Sequence, residues 1–159
     1  MLSHIDYCGV VYINFLTKEQ KNRLQVLQNC CFRFSYSVSR YDHITPYYNR
    51  QGILKLEHRN VLLFATFLYN VVGSGLPEYL SGVLVYRSDI HDLNLRHVSK
   101  LTVSEHNGAK FEGCFEYNAA KVYNKYISLF EGDLTVQSFR HQLRQVLLRL
   151  QKNGLTGFA

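Results

Sequence analysis

The sequence predicts a mainly α fold: a helical bundle around a central apolar helix at about residues 55–72, with a small β-hairpin near 99–112. Three observations predict it. Residues 61–72 are apolar except for Thr66 and Asn70, and a helix apolar on nearly all sides needs neighbours on nearly all sides. Two flanking segments carry apolar residues at alternating steps of three and four, each behind a capping residue. The residues between 85 and 113 lose that period and show strand and turn signals instead. At 159 residues and 47% hydrophobic, the chain fits one helical domain over 1–152 with a flexible tail at 153–159. A domain of that size buries about two thirds of its unfolded surface without staples.

Residues 3–12, SHIDYCGVVY, are ambiguous: Ser3 suits a helix cap, while Val10, Val11 and Tyr12 favour a strand. Thr17 to Gln20 form a capping box. Behind it Gln20, Leu24, Leu27, Cys31, Phe34 and Val38 make one stripe on a helix of about twenty residues. Thr45-Pro46 opens a short helix that Gly52 stops, and His43 before it is expected to satisfy local backbone groups. The central helix follows. Eighteen helical residues span about 27 Å, but its twelve-residue apolar stretch falls short of the roughly twenty needed to cross a bilayer. No membrane partner is expected. Gly73, Gly75 and Pro77 end the helix, and a helical turn is expected at 77–80.

Leu101-Thr102-Val103 suggests a strand, Asn107-Gly108 a tight turn, and Lys110-Phe111 a returning strand. Residues 115–127 return to helix. Val136, Phe139, Leu143, Val146 and Leu150 then mark an amphipathic helix capped by Thr135, with Arg140 and Arg144 on one side and Arg149 and Lys152 elsewhere.

The chemistry-bearing residues form no catalytic constellation. No adjacent aspartate pair suits a two-metal site, and there is no P-loop, Gly-x-Ser-x-Gly or H-E-x-x-H. His91, His97 and His106 are irregularly spaced. Cys8, Cys30, Cys31 and Cys114 include no C-x-x-C and are expected to be reduced and mostly packed as small apolar residues. No metal or cofactor is expected. No basic-then-apolar leader precedes a small-residue cleavage site, so an intracellular location is expected, nuclear and cytoplasmic not being distinguished. The net charge of +6 is unevenly placed. Residues 18–50 balance to +4 and residues 134–159 to +4, whereas 51–133 balance to −1. Two basic segments flanking a neutral middle are a footprint for an anionic partner, or two ordinary solvated helix faces.

A resemblance adds what spacing does not supply. SHIDYCGVVY at 3–12, LQVLQN at 24–29 and Arg33-Phe34 resemble the stretch after the palm of non-LTR retrotransposon reverse transcriptases, LINE-like and jockey-type. DHITPYY at 42–48 is similar to that family's HxTP segment. Gly52-Ile53-Leu54 through Leu56 and Arg59 is similar to its entry into a long apolar helix. Pro77 with Tyr79-Leu80 resembles its P-x-YL. Tyr117-Asn118 or Tyr123-Asn124 stands where the family writes WN-x-LP, and Ser138-Phe139-Arg140 is similar to its S-F-K/R. The order is kept from about Ser3 to Leu150. Tyr12 departs from a usual tryptophan, Lys55 from a common proline, and the last LP is missing.

The resemblance implies a C-terminal piece of an RNA-directed DNA polymerase, its thumb and the region after it, with the catalytic palm upstream of Met1. It implies that the isolated chain is no enzyme. It also implies contact with the backbone of an RNA–DNA or DNA template–primer duplex, by phosphate contacts that carry little sequence information. The candidate nucleic-acid-binding residues are Lys18, Lys21, Arg23 and Arg33, then Arg140, Arg144, Arg149 and Lys152. Two other functions stand beside it: a captured helical module that binds a protein partner through an exposed aromatic-rich segment at 115–126, and an open reading frame without retained function.

Overall fold

The computed structural model describes residues 6–90, 99–103, 108 and 111–155. Ser3, His91, His97, His106, Asn107, Lys110 and residues 156–159 lie outside them. The protein is mainly helical. The helices given by the described residues, in order, are α1 (Gly9–Tyr12), α2 (Lys18–Tyr36), α3 (Thr45–Gln51), α4 (Leu56–Ser74), α5 (Glu78–Ser81), α6 (Phe115–Lys125), α7 (Ile127–Phe130) and α8 (Val136–Lys152). Short 3-10 turns lie at Ile13–Phe15, Arg87–Asp89 and Phe111–Gly113. No described helix is long and apolar enough to cross a membrane. The chain divides into two compact units, one of Met1–Leu63 with Leu143–Ala159, the other of Phe64–Gln142. Helices α4 and α8 each contribute residues to both.

In the first unit, Thr17 and Gln20 exchange the two hydrogen bonds of the expected capping box, at 2.9 and 3.3 Å. Helix α2 stops at Ser37, whose φ of 50° is left-handed. An L-residue there costs roughly 1–2 kcal/mol relative to right-handed backbone. Glycine escapes that cost but loses more entropy on folding. Ser37→Gly is therefore expected to stabilise the protein by about 0.5 kcal/mol, a rise readable as a later urea midpoint.

The buried face of α2 differs from the expected stripe. Phe34 is 90% exposed and Leu27 half exposed, while Gln28 and Phe32 are buried. Gln28 turns inward because its amide donates to the Leu54 carbonyl at 3.1 Å. Phe32 turns inward to stack on Tyr48, with centroids 4.4 Å apart. Tyr48 is fully buried, its hydroxyl donates to Asn29, and burial pushes its pKa up to about 12. Helix α3 has the expected proline in its first turn and Gly52 at φ 61° as its stop, but Thr45 is its first residue rather than its cap. Its Oγ1 accepts instead from Lys55 Nζ at 3.2 Å. His43 is exposed and makes no hydrogen bond among the described residues.

The entry to α4 is held by side-chain amides. The first N–H groups of a helix lack partners within it. Here Gln25 Oε1 accepts from the Leu56 N–H at 2.9 Å, and Gln151 Oε1 accepts from the Lys55 N–H at 2.8 Å. Gln151 Nε2 also donates to Asn49 Oδ1 and to the Ile53 carbonyl, both at 3.1 Å. The buried face of α8 is Phe139, Leu143, Leu147 and Gln151, every fourth residue, while Val136 is partly exposed and Val146 and Leu150 are half-buried. Asn153, Gly154 and Leu155, the start of the expected tail, all donate to α8 carbonyls, and the Leu155 carbonyl lies 3.0 Å from His58 Nε2.

The second unit is built on rings. Val71, Leu68 and Phe64 of α4 are buried, and Tyr69 stacks on Phe139 at 4.1 Å. Phe130 packs against Tyr123 at 4.8 Å and Phe139 at 5.0 Å. The Tyr69 hydroxyl donates to the Leu134 carbonyl at 2.6 Å. Among the described residues no hairpin is formed near 99–112, and the expected turn at Asn107 and strand start at Lys110 lie outside them. Leu101 makes an isolated antiparallel bridge to Tyr86, and Phe111 begins a 3-10 turn rather than a returning strand. The physical reason lies in Asn124. Its amide donates to the Leu101 carbonyl at 2.9 Å and accepts from the Leu101 N–H at 2.8 Å, so one side chain satisfies both groups that a second strand would have bonded.

Candidate nucleic-acid interface

The uneven charge seen along the chain becomes a difference between the two units. The first unit holds eleven basic and four acidic side chains, a balance of +7. The second holds seven basic and eight acidic, a balance of −1. The protein's net positive charge therefore resides in the first unit. Seven of the eight candidate residues belong to it, and Arg140 belongs to the second.

Not all of them are available to a ligand. Arg33 sits in the last turn of α2 and turns back over the loop that follows. Its guanidinium donates to the Ser39 carbonyl and, at 2.7 Å, to the Asp42 carbonyl. It therefore holds the 37–44 loop. Arg23 pairs with Glu19 one turn earlier at 2.7 Å, both largely exposed, an arrangement that contributes little and opens readily. Arg144 donates to the Gly52 carbonyl at 3.0 Å, across the end of α3. The side chains of Lys18, Lys21, Arg140, Arg149 and Lys152 make no hydrogen bond or ion pair among the described residues, and all but the half-buried Lys21 are exposed.

Four cations of the same unit were not among the candidates, and two of them are exposed. Arg40 lies on the 37–44 loop and Arg50 in the last turn of α3; both are exposed and have no partner among the described residues. Their position in the 18–50 charge excess was the available signal. Lys55 and Arg59, by contrast, are engaged. Lys55 reaches Thr45, and Arg59 forms a half-buried ion pair with Asp6, Nε lying 2.7 Å from Oδ1. The hydrogen bond to Asp6 raises the pKa of Arg59 further. The first unit thus presents six cations with no side-chain partner among the described residues: Lys18, Lys21, Arg40, Arg50, Arg149 and Lys152.

The other chemistry is sparse. Among the described residues no group of three or more His, Cys, Asp or Glu side chains could hold a metal ion. No disulfide joins any of the four cysteines; Cys8 and Cys30 are exposed rather than packed, and Cys31 and Cys114 are half-buried. The aromatic-rich segment on α6 faces inward. Tyr123 and Tyr126 are buried, and Phe115 and Tyr117 are half-buried. Phe115 lies against Phe64 and Phe67, with centroids 5.8 and 6.1 Å away. These rings are buried or half-buried rather than exposed. No family model, curated protein or solved structure matches this chain.

Proposed function

We propose that this chain binds the sugar–phosphate backbone of duplex nucleic acid without reading its sequence. On this reading it is a catalytically incomplete piece similar to the thumb and post-palm region of a non-LTR retrotransposon reverse transcriptase. It positions an RNA–DNA or DNA duplex and performs no nucleotidyl transfer. One observation carries the proposal: the first unit concentrates a balance of +7 and leaves six cations without partners among the described residues. Cations bound to carboxylates would be neutralised; unpartnered ones are free to replace the counterions of a phosphate backbone. The order of family-like segments along the chain points the same way.

The test is fluorescence anisotropy on a labelled RNA–DNA hybrid across a salt series. Log affinity should fall linearly with log salt, with a slope of roughly −4 to −5 for four to six phosphates neutralised. Reversing Arg149 and Lys152 to Glu should flatten the slope and weaken every sequence alike, because phosphate contacts carry no base readout. Those two are cleaner targets than Arg144, whose loss would also free the Gly52 carbonyl. A slope near zero, or no binding at low salt, overturns the proposal.

A further inference from the structure

The first unit carries aromatic stacking as well as charge. Phe32 is stacked on Tyr48 at 4.4 Å with an interplanar angle of 21°, and on Tyr36 at 4.5 Å and 27°. The three rings form a stack that begins at fully buried Tyr48 and ends at Tyr36, which is 44% exposed. An aromatic stack with an open end accepts one more flat ring at little ordering cost, since its own rings are already fixed. Beyond Tyr36 the 37–44 loop presents Arg40 and Tyr41, the latter 94% exposed. The loop is not slack. Arg33, lying in sequence between the two stacked positions of α2, holds it by the carbonyls of Ser39 and Asp42. Tyr41 N–H donates to Ser39 Oγ at 3.3 Å.

We infer that Tyr36 and Tyr41, with Arg40 between them in sequence, form a platform on which unpaired bases of a single-stranded nucleic acid stack. The occupant follows from what is presented. A purely apolar partner would be expected against a neutral surface, whereas these rings stand in a unit of balance +7, and Arg40, next to Tyr41 in sequence, is exposed with no partner among the described residues. Flat faces with cations suit a chain that is both aromatic and polyanionic. Base–aromatic stacking is tolerant of sequence, because every base has a π-face. The inference rests on the backbone-binding reading above and extends it: the same unit that neutralises duplex phosphates also holds an adjoining unpaired segment.

The experiment uses the full chain and three labelled probes in anisotropy: a single-stranded oligo-dT, an abasic strand of the same length, and a blunt RNA–DNA hybrid. Tyr36→Leu and Tyr41→Ala should each weaken oligo-dT binding by roughly 5- to 100-fold, the effect of losing one stacked base. Both should leave the hybrid unchanged and bind the abasic strand as the parent does. Phe34→Ala is the control. Phe34 is as exposed as Tyr41, but it sits two residues from Phe32 and from Tyr36, on the opposite side of α2. It should change nothing. If Tyr36→Leu fails to keep the parent's circular dichroism melt, Tyr41→Ala carries the test. Oligo-dT affinity that survives the tyrosine changes, that equals abasic affinity in the parent, or that falls equally with Phe34→Ala overturns the inference. Loss of hybrid binding by the parent protein strikes the underlying reading instead.

Discussion

Phe64→Ala is expected to lower the unfolding free energy by about 3–5 kcal/mol, the usual cost of emptying a core position filled by an aromatic ring. Phe64 is 1% exposed and lies against Phe115, so its removal leaves a cavity that helical backbone on α4 cannot collapse to fill. Its neighbour Leu63 marks the contrast. It is only half-buried, so Leu63→Ala takes less area from the interior and should cost about 1–2 kcal/mol. Arg149→Ala, exposed and unpartnered among the described residues, should stay within about 0.5 kcal/mol of the parent. Urea melts of the three variants measure the order. A Phe64→Ala midpoint equal to that of Arg149→Ala would mean that α4 is not the element on which stability depends.

Gln151→Leu is expected to be nearly as damaging although it buries more apolar surface. The side chain is 5% exposed and makes three hydrogen bonds, to the Lys55 N–H, the Ile53 carbonyl and Asn49. Leucine fills the space but leaves those groups without partners, each at about 1–3 kcal/mol before relaxation. Local adjustment recovers part of that, so the net cost should be about 2–4 kcal/mol. Amide exchange localises it: protection at Lys55 should fall in Gln151→Leu by more than the global loss of stability accounts for. A variant as stable as the parent would show that the amide contributes fit and no binding energy.

The contrast between these residues explains which parts of the fold are legible in the sequence. Features written in local chemistry are readable: the Thr17 box, the proline and Gly52 of α3, and the nearly all-apolar run of α4. Each is decided within a few residues. The buried face of α2 is not decided there. Hydrophobic periodicity places Leu27 and Phe34 inside, but the Leu54 carbonyl needs a donor, and Gln28 supplies it from 26 residues away. A glutamine is chosen for such a place by what it meets, and nothing in its neighbours along the chain announces that. Asn124 misleads in the same way by doing the work of a strand at Leu101.

The candidate interface follows this rule. The charge excess of 18–50 is visible in the residues themselves, and Arg40 and Arg50 lie inside it. Which arginines are tied down is a tertiary fact. Arg33 and Arg144 are both engaged by backbone carbonyls, of Ser39 and Asp42 and of Gly52, and only the folded loop ends bring those carbonyls within reach.

The position of Gln151 also sets a timetable. The first unit is written in two instalments, with the 79 residues of Phe64–Gln142 between them. A ribosome adding about 5–20 residues per second needs roughly 4–16 s to cross that interval. Through it the first 63 residues lack Gln151, the partner of the Lys55 N–H and the Ile53 carbonyl, while the residues of the second unit are still being added. The later segment of the molecule to be synthesised is thus the one that completes the earlier unit, and a nascent chain halted near residue 140 would carry its basic region unclosed.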